Sequence, residues 1–333
     1  MAEARAIDAG AGRPGSFNVI ALVRRYPTLT AFILLLIFNF IVTPHFASWR
    51  VLSVNLTQVA TIVIVGVGMT LVIATGGIDL SVGSLMAISG ALAPLIFLSA
   101  FGKANHMLGI VLAYIVPVAV AGLFGLFNGW FITRFKVQPI VGTLVMFIAG
   151  RGIGQVVTNG NLQPFKNPDF QVIGIGHVLY VPVQVWIMVI FVALAAWVLR
   201  RTIFGRHILV VGGNEKAARL SGIPVDWVKL GVYAISGLCA GVAGLVTIAI
   251  NFSSDANLVG LGMELDAIAA VAVGGTPFTG GKATVVGTLI GALIIQLLRY
   301  TLLANGVPDA AALVVKAGVI ILAVWLQSRS RAR

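Results

Sequence analysis

Ten predominantly apolar segments recur along this chain, near residues 27–43, 54–75, 84–101, 107–133, 138–158, 180–199, 228–250, 262–275, 283–304 and 310–327. A spanning helix needs ~20 apolar residues, with a range of about 17–25, and most of the ten meet that length. The eighth is short for a full span. Composition removes the soluble alternative. The 333 residues are 59% hydrophobic and 10% charged, against roughly 45–50% and about 25% in a soluble domain. A soluble fold cannot hide so much apolar surface, so the surrounding solvent is lipid. The fold class implied is all-α: a polytopic membrane helical bundle of about ten transmembrane helices over residues 25–327, with tails at 1–24 and 328–333.

Charge gives the bundle an orientation. Lys and Arg number 22 against 10 acidic residues, an excess that suggests nucleic acid in a soluble protein but in a membrane protein collects in cytoplasmic loops. With a cytoplasmic N-terminus, 16 of the 22 fall inside, among them Arg24, Arg25, Arg134, Lys136, Arg200, Arg201, Arg206, Lys216, Arg219, Lys229 and Lys282. Only Arg50, Lys103 and Lys166 fall outside, while Arg151, Arg299 and Lys316 lie within or at the ends of spans. Both termini are therefore expected in the cytoplasm. The stretch 29–42 lacks small residues suited to cleavage after it and reads as an uncleaved first span rather than a secretory signal.

Several chemistries lack their residues. Cys239 is the only cysteine, which leaves no intrachain disulfide and no thiol metal site, and the four histidines are scattered without ligand spacing. No GxxxxGK[ST] phosphate loop is present. The run 274–282 is rich in glycine and ends at Lys282, but Pro277 intervenes and no Ser or Thr follows. No cofactor is expected on this chain, and no catalytic constellation is evident.

Two polar interruptions stand out in an otherwise apolar sequence. The first is Thr75-Gly76-Gly77-Ile78-Asp79-Leu80-Ser81-Val82-Gly83-Ser84; the second is Gly274-Gly275-Thr276-Pro277-Phe278-Thr279-Gly280-Gly281-Lys282. Paired glycines weaken a helix. Two readings fit the first run: a tight cytoplasmic turn whose Asp79 caps the next helix, or a broken helix lining a solute path, which survives at membrane depth only where protein or water surrounds it. Placing Gly76-Gly77 on Gly274-Gly275 brings Gly83 onto Gly281, so the two halves read as an internal repeat with interrupted helices. Candidate pathway residues are Gly76, Gly77, Asp79, Ser81, Asn55, Gln58, Asn128, Gly274, Gly275 and Thr276. Gln155, Glu264, Asp266, Gln296 and Arg299 are further polar groups near or within spans, where such residues usually face the bundle interior; for Glu264 and Asp266, near the outer mouth, a solvated loop is the alternative.

The longest cytoplasmic loop, about 200–227, holds a short helix signal. Asn214 can cap a helix from Glu215 to about Ser221, Gly222 ends it and Pro224 prevents its continuation. Two turns are not stable alone in water, so this helix needs something to pack against.

The residues Glu215, Lys216, Ala217, Ala218, Arg219, Leu220, Ser221 and Gly222 resemble the Ala-Ala-x-x-x-Gly coupling segment of ATP-binding-cassette importer permeases. The glutamate usual before the alanine pair is Lys216 here, with Glu215 one residue earlier. The runs at 76–84 and 212–223, with Val-Gly-Gly-Thr at 273–276, are similar to signatures of ribose/xylose/galactofuranose-type sugar permeases, and the likeness covers about 25–327. The resemblance implies a subunit of the bacterial inner membrane, binding-protein-dependent and inert alone. It implies three partners: a cytoplasmic ATPase docking at 215–222 and using ATP and magnesium, a periplasmic sugar-binding protein, and a second permease chain, identical or paralogous. Related permeases carry nucleosides or branched-chain amino acids, and a stand-alone secondary transporter is the rival from another class.

Overall fold

The computed structural model describes residues 27–308, 310–319 and 321; the two expected tails and the end of the tenth apolar segment lie outside them. Each apolar segment contains a helix: α1 (Pro27–Val42), α2 (Trp49–Ala74), α3 (Val82–Leu98), α5 (His106–Phe135), α6 (Pro139–Val157), α8 (Val183–Arg201), α11 (Val225–Asn251), α12 (Met263–Val273), α13 (Val285–Ala304) and α14 (Ala310–Val319). Six of them, α2, α5, α6, α8, α11 and α13, are long and apolar enough to cross a membrane. The remaining helices are short: α4 (Ala100–Ala104), α7 (Pro168–Ile175), α9 (Ile203–Gly213) and α10 (Glu215–Leu220).

The order of burial follows from sequence. From Val59 to Ala74 every residue of α2 is buried, as expected of a helix that is apolar all round and sits at the centre of a bundle. Around it pack α11, α12, α13 and α8. Helix α11 also crosses α5 along small residues: added Cβ atoms on Gly125 and Gly237 would run into the backbone of the opposite helix. Close backbone approach through small residues is how helices associate in lipid, where burial of apolar surface gives no advantage. The outer helix α8 leaves Ile190, Leu194 and Trp197 exposed, a surface suited to acyl chains.

The loops depart from expectation in three places. The stretch 203–213, read as loop, is helix α9; Thr202 accepts from the Gly205 N–H at 3.1 Å as its cap, and Ile208 and Val211 are buried on its inner face. In the outer loop Asn167 caps α7, with Pro168 at its first position. The third departure bears on function. After α11 ends at Phe252, in a left-handed turn, the chain does not continue as a short loop. Residues 253–262 run as irregular backbone alongside α3, pairing at Ser253–Ser254 with Gln163–Pro164 and reaching Gly83, where Gly260 meets its backbone. Gly83 lies fifteen residues before the Leu98 end of α3, about 22 Å at ~1.5 Å per residue. The eighth apolar segment is thus a short helix, preceded by a run of turns packed beside α3.

Candidate translocation site and coupling surface

The first interruption begins where α2 stops. Gly76 adopts φ +82°, and the N–H groups of Gly76 and Gly77 return to the Ile73 and Val72 carbonyls, a glycine-dependent helix end. Asp79 then turns inward and is fully buried. One carboxylate oxygen accepts from the Ser81 N–H at 3.0 Å and the Ser81 hydroxyl at 2.6 Å; the other accepts from the Ser236 hydroxyl of α11 at 2.7 Å. Asn128 of α5 donates to Ser81 at 2.8 Å. Asn128 stands seven residues before the end of α5, about 10 Å along its axis. Asp79 thus fastens the turn before α3 through Ser81, the residue that precedes that helix, and does so inside the bundle, enclosed by protein.

The second interruption repeats the design with a shifted register. Here Gly275 takes φ +86°, and the N–H groups of Gly275 and Thr276 return to Ala272 and Val271. Gly76 therefore corresponds to Gly275, not to Gly274 as the pairing of glycine doublets suggested. Identical residue types misled the alignment because the helix end needs a single left-handed glycine. The Thr276 hydroxyl oxygen accepts from the Thr284 N–H at 3.0 Å and lies 2.9 Å from the Thr284 hydroxyl. Thr276 thus meets the residue before α13 as Asp79 meets the residue before α3. The two breaks touch: the Gly281 N–H donates to the Ala74 carbonyl at 3.0 Å, and both lie against Gly212 at the end of α9.

Of the remaining pathway candidates, Asn55 and Gln58 lie elsewhere, in the first half of α2, where Gln296 of α13 donates to Gln58 at 2.6 Å and to Asn55 at 3.4 Å. Asn55 and Gln296 border an apolar cavity with Phe32, Phe40 and Leu293. The structure thus groups Gly76, Gly77, Asp79, Ser81, Asn128, Gly274, Gly275 and Thr276 toward the α10 end of the bundle and leaves Asn55 and Gln58 apart.

Helix α10 is built as its sequence requires. Asn214 accepts from the Ala217 N–H at 3.0 Å, and Gly222 follows the helix at φ +77°. Ala218 is buried in a cluster with Ile208, Val211, Val225 and Val228, which supplies the packing a two-turn helix lacks alone. Arg219 bonds Glu215 at 3.1 Å and Asp226 at 2.5 Å, and Lys229 bonds Glu215 at 2.7 Å. Partial burial pushes the Glu215 carboxyl up, but the hydrogen bonds and charges of Lys229 and Arg219 outweigh it and hold the group below its ordinary value. The opposite face is open: Leu220 is 91% exposed and Trp227 75%.

Of the two readings open for Glu264 and Asp266, the structure selects the interior one. Glu264 is buried, one residue into α12 and against Gly83; Asp266 pairs with Lys316 of α14 at 2.5 Å. Neither is a solvated loop residue, because α12 starts deep in the bundle. Arg151 on α6 donates through Nη1 to the carbonyls of Ala256 and Val259, at 2.9 and 2.6 Å. The available signal was Arg151 itself, a charge within an apolar span, which marks function or a specific partner.

A bundle with six helices long and apolar enough to cross a membrane is the architecture of a multi-pass membrane protein, and its similarity to known proteins places it in the permease class. The family model described as branched-chain amino acid transport system / permease component matches residues 51–324. The chain belongs to that family. It is 43% identical over 310 residues to the ribose import permease of Escherichia coli K12, covering 91% of this chain and 94% of that protein. It is 38% identical over 313 residues to the galactofuranose transporter permease of the same strain, covering 91% and 89%. The ribose import permease of Bacillus subtilis is 39% identical over 310 residues, covering 92% and 93%. No solved structure matches the chain.

Proposed function

We propose that this chain is the membrane subunit of a binding-protein-dependent importer whose cargo is a monosaccharide of the ribose or galactofuranose kind. The observation that carries the reading is 43% identity to a ribose import permease over 94% of that protein's length. In this reading ten helices cross the bacterial inner membrane, with both termini in the cytoplasm. A separate ATPase docks on α10, around Leu220 and Ala217, and consumes ATP with magnesium; this chain binds neither. A periplasmic binding protein delivers the sugar, and a second permease chain completes the pathway. The path is framed by the two interruptions, with Asp79, Ser81 and Asn128 holding one and Gly274, Gly275 and Thr276 the other; Gly76 and Gly77 let α2 end where they meet, and Asn55 and Gln58 line its far part. Movement of α10 by the ATPase reaches the path through the end of α9, three residues before it, where Gly212 touches both interruptions. Such a subunit supplies two conformations, and its partners shift the balance between them.

The test is uptake of radiolabelled solutes by the reconstituted complex. Ribose or galactofuranose is expected to accumulate with ATP, and a branched-chain amino acid not. Accumulation of the amino acid alone would transfer the cargo to the other class the family name suggests.

A further inference from the structure

Residues 253–262 pose a physical problem. They are non-helical turns that reach as deep as Gly83. The N–H groups of Asn257, Leu258, Val259 and Leu261 bond within the run, but its carbonyls are less well served and one side is open, with Leu258 and Leu261 66% and 65% exposed and Asn257 exposed beside them. Non-helical backbone does not face lipid, because its N–H and C=O groups would be left without partners; it persists where protein covers it or where it borders water. Arg151 already satisfies two of the carbonyls, at Ala256 and Val259, and Gln155 holds the Asn257 side chain at 2.7 Å.

The second observation is independent of exposure. Arg151 Nη2 and Glu264 Oε2 are both sheltered from solvent and have no hydrogen-bond partner. Glu264 as a whole is only 6% exposed, and its carboxylate reaches Gly83 where a side chain would obstruct it, 2.5 Å from a Cβ added there. A buried polar atom left unpaired is costly, so a charged donor and a charged acceptor within Coulombic reach of one another beside one segment point to a ligand that enters between them and supplies the opposite halves. A sugar hydroxyl both donates and accepts, and a site built around hydroxyls rejects solutes lacking them.

We propose that residues 253–262 line the water-filled solute path, and that Arg151 and Glu264 are the donor and acceptor that meet the cargo's hydroxyls. The assignment rests on the monosaccharide reading only for the identity of the cargo. In a Cys239→Ala background, Asn257→Cys and Leu261→Cys in the assembled complex are expected to react with a membrane-impermeant thiosulfonate carrying a sulfonate group. Leu194→Cys on α8 should not. This arm needs no cargo, so it decides the path even if no sugar is transported. Glu264→Gln should lower ribose transported per ATP hydrolysed by about tenfold, the scale of one lost charged hydrogen bond. Failure of the reagent to reach either introduced thiol would overturn the proposal, and a disulfide between two permease copies at either position would identify the segment as a dry interface instead. Labelling of both variants with full transport in Glu264→Gln would overturn the role of the carboxylate.

Discussion

The two interruptions share a glycine helix end and a polar contact to the residue before the next helix, but they are anchored differently. At the first, the buried Asp79 carboxylate gathers Ser81 and, from α11, Ser236, while Asn128 adds α5 through Ser81. At the second, Thr276 and Thr284 bond each other and the Gly274 carbonyl, so the polar contacts of these two residues stay within their own turn. Gly274 and Gly275 also border a cavity reaching Pro27, Leu199 and Arg200. The Asp79 hub joins three helices through side chains in the first half, whereas the second is held by a local threonine pair, by Thr28 of α1 on the Val273 carbonyl and by the Gly281 N–H on Ala74.

The largest expected effect is at the hub. Asp79→Ala strands the Ser81 N–H and two hydroxyls in a buried site, and should destabilise the solubilised protein by about 3 kcal/mol. Thr276→Ala should lose about 1 kcal/mol. Thermal unfolding in detergent measures both, and equal losses would erase the distinction between the halves. Next come the glycines that end the helices. Gly76→Ala and Gly275→Ala both force a side chain into left-handed backbone, at a cost of about 1–2 kcal/mol each. Similar losses would support the register that pairs Gly76 with Gly275; a silent Gly275→Ala would break it.

Smaller still is the ion-pair group at α10. Lys229→Met should cost about 1 kcal/mol, the upper end for surface pairs because Lys229 is partly buried, but should loosen α10 enough to weaken cargo-stimulated ATP hydrolysis. Glu215 is held below its ordinary value, so its contribution is complete above the unfolded carboxylate range and disappears as pH falls through the depressed one. Coupling at about pH 6 and about pH 7.5, both above that range, should therefore be equal with respect to this group. A loss between those values that Glu215→Gln abolishes would contradict the assignment.

Much of this was legible in the sequence, and the remainder has identifiable causes. Apolar length located the long helices because lipid imposes one length on every span. The α10 cap was readable from Asn214 and Gly222 because capping is local. The register of the repeat was not, since two adjacent glycines look alike and only φ separates them. Residues 253–262 were missed for another reason. Their Ser, Asp and Asn read as surface loop, and nothing local reveals that the loop descends beside α3. Arg151 was visible as a charge in a span, but its partners Ala256 and Val259 are remote in sequence and no local pattern joins them to it.

The central claim is that this chain moves sugar only when partners drive it. The direct measurement is uptake of radiolabelled ribose into proteoliposomes containing the chain alone, the complete complex with binding protein and ATP, or the complex carrying Gly222→Pro. Accumulation is expected only in the unmodified complex, with Gly222→Pro hydrolysing ATP without response to cargo. Accumulation by the chain alone, driven by an ion gradient, would contradict it.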